Sequence, residues 1–206
     1  MARALGKLLN NTPPFHGLYV AKFLPNVYSG TSLTSRNLVK LHELGITHIL
    51  NTASEIDSFA PAKEKDFSDK NDFIRLQPVY TRKLKNELFE RGNVTTKQGN
   101  ETKEIQILKL NIHDYGTSNP RMLEFLDLGI NFINEGIKEG SVLVHCQGAK
   151  NRSIMMVMAF LISSQNYTYD DALAKVTQVR PSALFAKENN EFLKEFETKV
   201  RKYSFS

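Results

Sequence analysis

Two kinds of apolar run alternate along the chain. Short continuous ones at His48–Leu50, Phe73–Leu76, Ile105–Leu110 and Val142–Val144 predict buried strands. Longer ones carry apolar residues at helical spacing. Leu38, Leu41 and Leu44 predict a helix capped by Ser35 and stopped by Gly45. Asn119-Pro120 opens a second helix, whose apolar positions Leu123, Phe125, Leu126, Leu128, Ile130 and Phe132 run on to Gly140. The segment Ile154–Leu161 is apolar nearly all round, as expected of a helix enclosed by the core. Thr168 and Asp171 resemble a capping pair for a further helix that ends before Pro181. A last amphipathic helix, about Lys187–Lys202, presents Phe192, Leu193 and Phe196. Strands alternating with helices predict an α/β domain with a central, mostly parallel sheet flanked by helices.

The stretch from about 58 to 104 breaks this pattern. It is polar, with Gly92 and Gly99 and many charges, and it predicts a strand only at Phe73–Leu76. Its mixture of Arg82, Lys83, Lys85, Arg91, Lys97 and Lys103 with Glu87, Glu90 and Glu101 reads as a solvated surface, so the expectation is a mobile loop insertion. The 206 residues then divide into an N-terminal extension, 1–16, and one domain, 17–206, that contains the insertion.

Composition adds constraints rather than a function. The formal charge of +5 and pI near 9.2 suit acidic partners such as phosphoproteins, inositol lipids or RNA, and equally suit plain solubility. Cys146 is the sole cysteine, which rules out an intramolecular disulfide and a zinc site built on paired cysteines, and fits a reducing compartment. No apolar run is long enough to span a bilayer, and the first residues lack the apolar stretch of a secretory signal. Ala2 excludes N-myristoylation, and the ending KYSFS has no cysteine to prenylate. The expected location is the cytoplasm or nucleus.

The candidate chemistry lies in VLVHCQGAKNRS, Val142–Ser153. A strand feeding a helix through a tight loop leaves backbone N–H groups unpaired at the helix N-terminus, which makes an anion site. Arg152 adds a planar fork matched to two phosphate oxygens, and Cys146 sits beneath the same pocket. An ordinary cysteine, pKa ~8.5, is mostly thiol at neutral pH, whereas beside a helix N-terminus and a cation values of roughly 3.5–7.5 occur. Ser153 is placed to donate to the sulfur and support it as a leaving group, and His145 to hold the loop. Cleaving a phosphate ester also needs a proton donor for the departing oxygen. Asp114, following the Ile105–Leu110 strand, is the best candidate for that role. The scheme uses neither metal nor cofactor.

His-Cys-x5-Arg-Ser resembles the phosphate loop of protein tyrosine and dual-specificity phosphatases. The 32-residue interval from Asp114 to Cys146 is similar to the acid-to-nucleophile spacing of small dual-specificity enzymes. FLPNVYSG, the Leu44–Asn51 run and Val179–Glu197 resemble the opening and closing parts of that domain. The resemblance implies a phosphatase with Cys146 as nucleophile, Asp114 as general acid, Arg152 and Ser153 in the catalytic set, and a loop of Gln147, Gly148, Ala149, Lys150, Asn151 and Arg152 around the phosphate. It implies phosphorylated proteins as substrates, reacting through a phosphocysteine.

One departure stands out. The family usually has glycine three residues after the cysteine, where this chain has Ala149 preceded by Gly148. Either Ala149 strains the loop or Gly148 takes over the flexible position. Lys150 lies where phosphoinositide phosphatases also carry lysine, but Gln147 replaces their second one. Asn151 is similar to RNA 5′-triphosphatases, which tend to lack the aspartate. A lipid or RNA phosphatase is therefore the alternative enzyme, and a non-catalytic phosphoprotein-binding module the alternative of another class.

Overall fold

The computed structural model describes residues 18–60, 63, 76, 78–98, 101–113, 119–183 and 187–204. Seven strands form one sheet: β1 (Val20–Leu24), β2 (Val27–Gly30), β3 (Ile46–Asn51), β4 (Val79–Lys85), β5 (Phe89–Gln98), β6 (Glu101–Leu110) and β7 (Ser141–His145). Their spatial order is β1-β2-β7-β3-β6-β5-β4. The four central strands β2, β7, β3 and β6 are parallel, and antiparallel pairs finish both edges.

Alternation along the central strands divides the core in two. Val142 and Val144 face one layer and Leu143 the other, just as Leu108 and Leu110 oppose Ile105 and Ile107. The larger layer is covered by α2 (Met122–Glu139), α3 (Arg152–Ser164), α4 (Tyr169–Val179) and α5 (Lys187–Ser204). The smaller one is covered by the short α1 (Leu38–Glu43), through Leu38 and Leu41. β7 is buried on both faces, which is why its sequence is a continuous apolar run rather than an alternating one. α3 is buried from Arg152 through Ile162, and from Ile154 onward its uniformly apolar sequence requires this.

Side-chain caps start two of the helices, α1 and α4. Thr168 Oγ1 accepts from Asp171 N at 3.0 Å and donates to Asp171 Oδ2 at 2.7 Å, so the short aspartate completes the capping pair. α1 begins differently from the expectation. Its cap is Asn37, whose Oδ1 accepts from Lys40 N at 3.0 Å, and Ser35 belongs instead to a 3₁₀ turn, Thr34–Arg36. Gly45, at φ 65°, ends that helix in the left-handed conformation.

The segment read as a loop insertion is the main correction. Its described part is an antiparallel meander, β4-β5-β6, that extends the sheet by two strands beyond β6. Leu76, expected in a strand, is helical and buried, while 73–75 lie outside the described residues, as does the proposed extension 1–16. The meander escaped notice because β4 is exposed along most of its length and gives no apolar alternation. Main-chain pairing and ion pairs hold it. Glu90, buried, sits between Lys109 Nζ at 3.0 Å and Arg82 Nε at 2.6 Å.

Candidate active site

The site assembles at the carboxyl ends of the parallel strands, where such sheets place their ligands. β7 delivers His145 and then the loop Cys146–Asn151, after which α3 starts at Arg152. β3 continues to Glu55, and β6 continues to Ile112. The loop therefore opens onto the electropositive end of a thirteen-residue helix.

The loop's carbonyls are held from outside. Ser32 N donates to Gln147 O at 3.2 Å. Arg180, buried at the end of α4, donates from Nη2 to Gly148 O at 3.3 Å and from Nε to Ala149 O at 3.1 Å. Its guanidinium lies 3.5 Å from the centre of the Tyr19 ring. In a planar trans peptide the carbonyl and the following N–H point in opposite directions. Fixing these three carbonyls aims the N–H groups of Gly148, Ala149 and Lys150 to the other side of the loop. Ala149 carries the tight turn, at φ 51°, and Gly148 lies outside the left-handed region. Alanine in this left-handed region costs about 1–2 kcal/mol, which the Arg180 contacts offset.

Cys146 is 3% exposed, with Ser153 Oγ 3.4 Å from its sulfur. His145 is buried behind it, its carbonyl accepting from Thr52 N at 2.8 Å and Thr52 Oγ1 at 2.9 Å. Burial pushes the His145 imidazole down to about 4, with a smaller opposing effect from its contact to the Cys146 carbonyl. It is thus neutral and structural at physiological pH. Gln147 is exposed at the rim, and Lys150 is partly buried. Asn151 Oδ1 accepts from Asn189 Nδ2 at 2.5 Å, which ties the loop to α5.

Arg152 is 4% exposed and is gripped by a residue that the sequence reading did not single out. Glu55 takes its fork in both arms, Nη1 to Oε2 at 2.7 Å and Nη2 to Oε1 at 2.6 Å, and Ile112 O accepts from Nη1 at 3.3 Å. The Arg152 hydrogen bonds hold the Glu55 carboxyl below its usual range, against the desolvation of a group that remains half exposed. The available signal was weak: an acidic residue shortly after a parallel strand. Asp114, the expected acid, lies outside the described residues, although Ile112, two positions earlier in sequence, touches Arg152. Ser153 and His145 both contact Cys146, while Arg152, at the start of α3, contacts Glu55 and Ile112; no group of three or more His, Cys, Asp or Glu that could hold a metal occurs among the described residues.

Residues 78–199, more than half of the chain, match the model of the dual specificity phosphatase catalytic domain. The chain belongs to this family. Protein phosphatase Slingshot of Drosophila melanogaster is 25% identical over 178 residues, covering 86% of this chain and 13% of that protein. Dual specificity protein phosphatase 9 of Homo sapiens is 27% identical over 182 residues, covering 84% of this chain and 37% of that one. The chain thus spans well under half the length of either relative. Among solved structures, human DUSP28 superposes with a TM-score of 0.61 at 15% identity, over 92% of this chain and 97% of that one. PTPMT1 in complex with PI(5)P gives 0.59 at 18%, over 90% and 98%. At these identities the structural likeness establishes the cysteine phosphatase fold, and the family match establishes the kind of domain.

Proposed function

We propose that the chain hydrolyses phosphotyrosine, and phosphoserine or phosphothreonine, in proteins by way of a cysteinyl-phosphate. The observation that carries this reading is the juxtaposition of a buried sulfur, the N-terminus of α3 and an arginine pinned by Glu55. Oriented amides and a fixed guanidinium stabilise the charge that builds on the equatorial oxygens during transfer, without reorganising as it develops. In the first step the sulfur attacks phosphorus in line, the ester P–O bond breaks, and Asp114 gives its proton to the departing oxygen. In the second step water attacks the phosphocysteine. Asp114 takes the proton from water, the S–P bond breaks, and the electron pair returns to sulfur beside Ser153.

In this reading Lys150 contributes charge at the loop, which together with the basic net charge favours an inositol phosphate substrate. Asn151 is occupied by Asn189, which supports a structural role for it rather than RNA recognition. Purified protein is expected to hydrolyse p-nitrophenyl phosphate in EDTA, to be inhibited by vanadate, and to lose turnover as Cys146→Ser. Asp114→Asn is expected to lower turnover strongly and remove the basic limb of the pH profile. Phosphopeptide binding without hydrolysis by the intact protein would instead support a binding module. Preference for inositol phosphates or RNA 5′-triphosphate ends would support the other enzymatic reading.

A further inference from the structure

β2 is buried at all four positions and paired on both sides, by β1 and β7. A strand so enclosed favours apolar residues, yet it carries Ser29, with 0% exposure. Among the described residues, the only side-chain hydrogen bond of Ser29 is to Ser153, at 3.2 Å between the two Oγ atoms, with Ser29 as donor. Ser153, also 0% exposed, is the hydroxyl that lies 3.4 Å from Cys146 Sγ. Three buried side chains from β2, α3 and the loop therefore form a line that ends at the sulfur.

We propose that Ser29 is a positioning residue for the thiolate, the outer member of a two-hydroxyl relay that fixes the Ser153 proton on Cys146. The inference rests on the proposed phosphatase chemistry. A hydroxyl has one proton and two acceptor positions. When Ser153 accepts from Ser29, its own proton is left to point at the sulfur, which as a thiolate can only accept. Donation from Ser29 also polarises the Ser153 O–H, strengthening the bond it makes. Without Ser29 the Ser153 rotor has no partner setting its direction. The relay acts twice, on the thiolate of the free enzyme and on the sulfur as it departs from phosphorus. In neither case does a proton leave Ser153. Among the described residues, Arg152 and Lys150 at the loop, Arg180 against its carbonyls, Glu55 beyond β3, and His145 with Arg36 acting on it are all retained when Ser29 alone is changed.

The test compares wild type, Ser29→Ala, Ser153→Ala and the double variant. Alkylation of Cys146 by iodoacetate is measured across pH, alongside kcat and KM for p-nitrophenyl phosphate, with thermal unfolding as a check that the variants fold. Ser29→Ala is expected to slow alkylation at acidic pH by about three- to fivefold, converging with wild type at alkaline pH, and to lower kcat similarly with KM unchanged. Ser153→Ala is expected to do more, and Ser29→Ala to add nothing in its background. The relay is overturned if wild type has a low-pH thiolate that Ser29→Ala leaves undisturbed, or if Ser29→Ala has its full effect without Ser153. A wild-type profile like that of an ordinary thiol would overturn the phosphatase reading and the relay with it.

Discussion

The two sides of the sheet's β6 strand belong to different kinds of structure. Toward β3 and β7 the sheet is parallel, buried on both faces and ends in the candidate site; toward β5 and β4 it is an antiparallel wing, exposed along its edge. The first is specified by packing and, in the proposed function, by reaction chemistry; the second by main-chain pairing, the Arg82–Glu90–Lys109 ion pairs and the burial of Val94 in the smaller core layer. The difference predicts separable failures: wing variants should lose stability and keep their activity per folded molecule, while site variants should do the reverse.

The largest effect on the wing is expected from Glu90→Gln. Removing one member of a buried ion pair strands its partner, so unfolding free energy should fall by about 3–5 kcal/mol in urea titrations, with kcat/KM of the remaining folded protein unchanged. Equal losses in both would merge the two regions into one functional unit.

His145 joins the regions through pH. Its folded value of about 4 lies below the ordinary 6.5, so between those limits the unfolded chain holds the extra proton. Stability from this group is fully present above about pH 6.5, falls as the pH drops, and levels off below about 4, a total of roughly 3 kcal/mol. Urea unfolding at neutral and mildly acidic pH checks this, and His145→Gln should flatten that part of the curve.

Glu55→Gln should sharpen the account of the site. Losing the charged clamp leaves Arg152 less well oriented, and KM for phosphate esters is expected to rise about tenfold, with a smaller change in kcat and little in stability. An unchanged KM would mean that Glu55 merely neutralises the arginine. Ala149→Gly is the smallest effect: relieving the left-handed alanine should stabilise the fold by up to about 1 kcal/mol in thermal unfolding, against the entropy that glycine adds to the unfolded chain.

The same contrast explains what could be read from the sequence. Val142–Val144 and α3 are legible because a strand or helix enclosed on all sides must be apolar throughout, and the proposed set Cys146, Arg152 and Ser153 is suggested by residue types at a spacing that suits anion-binding chemistry. β4 was illegible because an exposed edge strand with polar side chains carries no periodic signal, and β5 because most of what it buries, Glu90, Asn93 and Thr96, is polar. Glu55 and Ser29 were missed for a third reason. Each acts through a partner far away in sequence, 97 residues for Glu55–Arg152 and 124 for Ser29–Ser153, and only the sheet brings them together. The Ala149 question was posed by the sequence but could be answered only by a backbone angle.

The central claim concerns covalent chemistry at Cys146, and it is tested most directly by quenching the enzyme in denaturant during turnover of p-nitrophenyl phosphate and mapping bound phosphate by mass spectrometry. On this claim phosphate is expected on Cys146 and absent from Cys146→Ser. Full-rate hydrolysis with no phosphate on that sulfur, or undiminished turnover by Cys146→Ser, would contradict it.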